Sequence, residues 1–99
     1  MTREETLARL HDALPDLRRR YGVVRLGLFG SVARNEARPE SDVDLVAEFA
    51  PDARMGLFEL FHLERDLSEL LERKATIASL SQMNRYVRAS AERDLVYAE

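Results

Sequence analysis

No cysteine occurs anywhere in the chain. That excludes structural disulfides, thiolate nucleophiles and zinc–thiolate centres. No uninterrupted apolar run reaches membrane-spanning length, and the opening residues, MTREETLARL, are charged rather than leader-like. A cytoplasmic location is therefore the expectation. Lysine is nearly missing: Lys74 is the one lysine among 15 basic residues, which face 18 acidic ones for a formal net charge of −3. This balance is the wrong sign for a dedicated nucleic-acid binder. Low-complexity tracts, linkers and internal repeats are absent as well, so the 99 residues are expected to form one domain, 1–99. What the chain does have is 45% apolar residues, enough for a modest core and too many for general disorder.

The apolar residues fall into alternating periods. Thr2 followed by Glu5 fits a capping box, and Leu7, Leu10 and Leu14 then recur at helical spacing. Pro15 is expected to break or kink this helix, with a further turn through Arg20 and a stop at Gly22. VVRLGLF, 23–29, reads as a strand with Val24, Leu26 and Leu28 on one face. Gly27 inside it points to close approach by another group. Residues 31–36 have room for one or two helical turns. DVDLVAEF, 42–49, alternates: Asp42, Asp44, Val46 and Glu48 share one face, while Val43, Leu45, Ala47 and Phe49 form the core face.

A long amphipathic helix is predicted over 55–71, with Leu57, Leu60, Phe61, Leu67, Leu70 and Leu71 as its stripe. KATIAS, 74–79, reads as a third strand with Ala75 and Ile77 inward. A last helix over 81–93 uses Met83, Tyr86, Val87 and Ala91, and LVYAE closes the chain as a short strand. The order α-β-α-β-α-β-α predicts an α/β (α+β) fold, a small mixed sheet with helices. The short link between the first two strands favours an antiparallel pair. That pairing brings Gly30-Ser31 beside Asp42 and Asp44.

Two carboxylates at i and i+2 of a strand lie on one face, about 7 Å apart. They repel unless a cation sits between them. Oxygen-only ligation of this kind, completed by water and substrate phosphate, suits Mg²⁺. A glycine at a strand end, followed by a helix start, aims backbone N–H groups outward and binds phosphate oxygens. GSVARNEARPESDVD therefore offers a phosphate cradle next to a magnesium site. Plainer readings stand beside it: a solvated strand face for Asp42 and Asp44, a structural ion pair for Arg34, and a solvated helix end for Arg18, Arg19 and Arg20. His11 and His62 lack metal-ligand spacing, and helix packing accounts for Tyr21, Tyr86 and Tyr97.

Gly-Ser, ten residues, then Asp-x-Asp resembles the signature of the DNA polymerase β-like nucleotidyltransferase superfamily. RLGLFGSVARNEARPESDVDLVAEF is similar to its minimal (MNT) branch, and the likeness continues through LLERKATIAS. The resemblance implies that Gly30 and Ser31 hold a triphosphate, that Asp42 and Asp44 bind Mg²⁺, and that Arg34 matches an arginine common in the branch. Asn35 stands where the branch has glycine, a mild change for a left-handed turn. It further implies ATP as substrate, a HEPN-domain toxin as partner, and transfer of AMP to a tyrosine of that toxin by the chain as antitoxin. One position departs. Thr76 stands where the superfamily has a third carboxylate, which helps hold the catalytic metal and deprotonates the acceptor. Losing a general base lowers rates by roughly 10²–10⁴. A catalytically silent fold that neutralises its partner by binding alone is the alternative. Glu48 and Glu72 are weak replacements, and an enzyme acting on nucleic acid is the remaining reading.

Overall fold

The Thr2 Oγ1 accepts the Glu5 N–H at 3.1 Å, and Glu5 returns the bond to the Thr2 N–H at 3.4 Å. This capping box starts helix α1, Arg3–Tyr21, in a computed structural model that describes residues 1–98. Pro15 does not break α1, and the further turn and the stop expected at Gly22 are both there. It runs unbroken to Gly22, whose left-handed φ of 75° lets its N–H close on the Arg18 carbonyl at 2.9 Å. Proline removes one N–H and crowds the carbonyl four residues back. Here the proline lies on the exposed side, while Leu10 and Leu17 are buried on either side of it and hold both halves of the helix in place.

Four strands form one sheet in the order β3-β2-β1-β4. Strand β1 is Val23–Phe29, β2 is Val43–Phe49, β3 is Ala75–Ala78 and β4 is Val96–Ala98. β1 pairs antiparallel with both β2 and β4, whereas β2 and β3 run parallel. The predicted antiparallel pair and mixed sheet are both present, and the closing strand is β4; Glu99 lies outside the described residues. Between the strands come α2 (Gly30–Ala33), α3 (Leu57–Leu71), a 3₁₀ turn (Leu80–Gln82) and α4 (Arg85–Asp94).

The core gathers Leu10 and Leu17 of α1, Leu63, Leu67 and Leu71 of α3, and Leu26, Leu28, Val43 and Leu45 of the sheet. α1 and α3 are also joined by a polar cluster. Arg20 donates to Asp66 at 2.7 Å and to Asp16 at 3.0 Å, and the Tyr21 hydroxyl donates to Asp66 at 2.5 Å. So Arg20 is not merely part of a solvated helix end. The Tyr21 hydrogen bond, then the Arg20 guanidinium, hold the Asp66 carboxyl below its usual range.

Several predicted faces shift. β1 carries an extra residue between Val23 and Arg25, so Val23 is buried and Val24 is exposed. A bulge of this kind moves one side chain to the other face. Val46, assigned to the solvent face, is buried because that face is partly covered. Leu57 and Phe61 do not reach the core: they are 70% and 58% exposed, beside Phe58 at 79%. The last helix is shorter than predicted and begins after Asn84, whose side chain accepts the Val87 N–H at 2.9 Å. Tyr86 and Val87 are exposed, and Ala91 is the buried residue of α4.

Gly27 shows what covers the second face. A Cβ there would lie 2.6 Å from Leu95 Cδ1, 2.9 Å from Val46 Cγ2 and 3.1 Å from Tyr97 Cε1. The close approach read from the sequence is thus the Leu95 side chain pressing on bare backbone. Replacing Gly27 with Val is expected to lower unfolding free energy by about 1–3 kcal/mol through overpacking, measured by urea titration of the parent and the variant.

Candidate functional site

The antiparallel register of β1 and β2 sets Phe29 opposite Asp44. The next residue, Gly30, turns with a φ of 76°. A Cβ added to Gly30 would collide with the Asp44 carboxylate. The position therefore needs glycine twice, once for the positive φ and once for the contact. Beyond it, α2 begins at Phe29 with no side-chain cap, so its first N–H groups are left for another acceptor. Ser31 is half-buried in this turn, while Val32 and Ala33 are buried. The helical turn is shorter than 31–36 and is closed by Asn35 in a left-handed conformation, φ 61°. α1 secures the far end: Arg3 Nη1 donates to the Ala33 carbonyl at 3.3 Å.

On β2 the pair is uneven. Asp44 is inside the strand and half-buried; Asp42 is one residue ahead of it and exposed, a correction to the reading that put both on the strand. The Val43 N–H between them bonds to the Lys74 carbonyl at 2.8 Å, which locks the strand start against β3. Across the parallel pair, Thr76 stands in register with Asp44. Burial pushes the Asp44 carboxyl above the usual Asp range, and the Asp42 charge pushes it the same way. The Thr76 side chain and the Arg34 guanidinium pull it back.

Arg34 itself is engaged. Its Nη1 pairs with Asp94 at 2.6 Å and its Nε with Glu36 at 3.2 Å. Asp94, the last residue of α4, had no signal in the sequence. No third acid joins Asp42 and Asp44: among the described residues no group of three or more His, Cys, Asp or Glu is placed to hold a metal ion. Glu72 is drawn off to Arg9 at 3.4 Å and Glu48 to Arg25 at 3.7 Å. The donor set is two carboxylates; burial first, and the Asp42 charge second, push Asp44 upward. That set suits a divalent ion arriving with its own phosphate ligands, and it is too small to hold a resident ion alone.

Comparison with known proteins gives the family. Residues 10–98 match the nucleotidyltransferase domain family, NTP_transf_2. A protein adenylyltransferase, MntA of Thermococcus cleftensis, is 32% identical over 97 residues, covering 98% of this chain and 96% of the relative. A solved structure described provisionally as a minimal nucleotidyltransferase superposes with a TM-score of 0.73 at 34% identity, covering 97% of this chain and 95% of the other. A toxin–antitoxin crystal structure with AMP-PNP shares the fold, with a TM-score of 0.68 at 15% identity over 90% of this chain and 72% of that one. The chain belongs to the nucleotidyltransferase domain family.

A carboxyl whose pKa is raised by folding keeps its proton better folded than unfolded. Its contribution to stability is full at low pH and is lost as pH climbs from the ordinary Asp value through the raised one. Asp44→Asn removes that loss. The variant is expected to melt at a higher temperature than the parent at pH 7, with the advantage gone below about pH 4. Thermal melts across pH without added metal check this; equal midpoints at pH 7 would contradict the account of Asp44.

Proposed function

We propose that the chain binds ATP with Mg²⁺ and transfers AMP to a hydroxyl of a partner protein, acting as the antitoxin to a HEPN-domain toxin. The observation that carries this reading is the contact of bare Gly30 backbone with the Asp44 carboxylate, on a sheet face shared with Thr76. Gly30 and Ser31 offer N–H and hydroxyl donors to the triphosphate. Asp42 and Asp44 hold the Mg²⁺ that accompanies it, whose charge offsets that of the phosphates in the transition state. Arg34 lies close enough to act on Asp44 and reaches phosphate by leaving its ion pairs with Asp94 and Glu36. The Glu36 pair is a surface one and costs little to exchange, while the Asp94 carboxylate is partly covered. The likeness to the Thermococcus protein adenylyltransferase supports the reaction, and the toxin–antitoxin crystal structure with AMP-PNP supports the partner and the nucleotide.

Thr76 favours a second reading. Thr76, and no carboxylate, stands across from Asp44 where a general base is expected. The chain is then a nucleotide-binding fold that silences its partner by association alone.

Incubation of the toxin partner with the chain, ATP and Mg²⁺ separates the two. The enzymatic form gives the partner a mass gain of one or more adenylyl groups, and Asp44→Asn is expected to cut the rate by roughly 10²–10⁴. No gain at any metal concentration rejects it. Thr76→Asp is the companion measurement. If the missing carboxylate is what limits the reaction, the variant transfers AMP roughly 10²–10⁴ faster than the parent.

A further inference from the structure

Helix α3 has two faces. Leu63, Leu67 and Leu71 join Val43 and Leu45 of the sheet in the core. The opposite face carries Phe58, Phe61, His62, Arg65 and Glu69, all exposed, with Arg54 and Leu57 exposed at its start. These positions recur every three or four residues and so form one stripe along the helix. Asp66 leaves the stripe for α1, where it meets Arg20 and Tyr21.

The order of residues along the stripe is self-complementary. A point between Phe61 and His62 divides it. Phe58 and Arg65 stand equally far from that point on either side, and so do Arg54 and Glu69. A two-fold axis through the point lays α3 antiparallel on α3 of a second copy. Arg65 of each copy then faces Phe58 of the other, a cation over an aromatic ring. Phe61 meets Phe61 across the axis. Arg54 meets Glu69 at both ends. Neither of these two has an ion-pair partner of its own among the described residues, and Arg65 pairs with Asp66 alone, at 3.8 Å. A parallel arrangement would set Arg65 on Arg65 and Glu69 on Glu69, which like-charge repulsion opposes.

Area sets the strength of such a contact. Phe58 and Phe61 are 79% and 58% exposed, so the two rings present roughly 270 Å² per copy. Leu57 and the stems of Arg54 and Arg65 bring the covered surface to about 500 Å² per copy, or about 1,000 Å² in all. That is the lower bound of a specific interface and the size of a weak, reversible one.

We propose that this face of α3 is a homodimer interface, in which a second copy of the chain packs α3 on α3 antiparallel about an axis at Phe61 and His62. Asp44 alternates with Val43 and Leu45, which pack toward α3, so it lies on the other face of the sheet. The Gly30 and Asp44 sites of both copies therefore stay open, and the interface does not depend on the nucleotide-binding reading.

Sedimentation of the full chain from about 10 µM to about 1 mM tests it. A reversible passage from monomer to dimer is expected over that range. Phe58→Ser, at the most exposed of the large apolar residues, is expected to weaken the dimer by about tenfold or more. Arg54→Glu and Glu69→Arg each weaken it by about tenfold. An equal mixture of these two single variants forms a heterodimer, because every end again joins opposite charges. The chain carrying both substitutions dimerises like the parent, which excludes misfolding as the cause of the losses. A chain that stays monomeric to about 1 mM, a dimer that Phe58→Ser leaves unchanged, or charge losses that neither the mixture nor the double substitution recovers overturns the proposal. A monomer whose binding to the toxin partner falls on Phe58→Ser gives the face to that partner and overturns it as well.

Discussion

One contact organises the site: the backbone of Gly30 lies against the carboxylate of Asp44. Neither partner has freedom to move. Gly30 takes a φ of 76° that side-chain-bearing residues rarely adopt, and Asp44 is fixed by pairing on both sides, with Phe29 of β1 and Thr76 of β3. Because side chains alternate along a strand, a slip of one residue between β1 and β2 would turn Asp44 into the core and Leu45 outward. The register must therefore hold at this end of the pair. It does: the irregularity in β1 falls between Val23 and Arg25, at the opposite end, and pairing is regular from Arg25 to Phe29. The bulge absorbs an extra residue where nothing depends on the spacing.

The same contact makes the apo site uncomfortable. Asp44 is half-buried next to bare backbone, and the exposed Asp42 repels it. Arg34 relieves this only in part, because Asp94 and Glu36 hold it. Two carboxylates kept together at a cost in stability are what a site that captures a cation with its phosphate cargo needs, since the strain is released on binding. Asp44 departs from an ordinary solvated strand face: it is half-buried, and burial first, then the Asp42 charge, pushes its carboxyl above the usual Asp range.

How far the sequence discloses this depends on the range of the interaction concerned. The positions of the strands, the capping box at Thr2 and the turn residues Gly22, Gly30 and Asn35 are local, and each is where its chemistry put it. The antiparallel register also follows from a short link, so the meeting of Gly30 with Asp44 was legible. Long-range fits were not. Pro15 stays in α1 because Leu10 and Leu17 are gripped by other elements, a tertiary effect that propensity does not contain. α3 shows the same limit. Its 15 residues extend about 22 Å, but β3, with four residues, covers about 13 Å of that length. The amphipathic stripe therefore buries Leu63, Leu67 and Leu71 and leaves Leu57 and Phe61 beyond the sheet. Asp94 was invisible for a different reason. Its partner Arg34 lies sixty positions away, and an acid at a helix end gives no pattern to read.

Position 76 sets two properties of the site against each other. It stands directly across from Asp44, and its hydroxyl lowers the Asp44 pKa. A carboxylate there would act in the opposite sense. A third negative charge in register with a half-buried Asp44, already repelled by Asp42, would raise that pKa further and destabilise the empty site, until a cation compensated it. Threonine therefore eases the cost of keeping Asp42 and Asp44 together and gives up the group best placed to accept a proton or complete a metal shell. The proposed capture of a nucleotide through its accompanying ion draws on the two remaining acids and the Gly30 turn. The rate of turnover is the property on which the absent third carboxylate bears. The balance between the two proposed readings, catalyst and binder, thus turns on one side chain of β3.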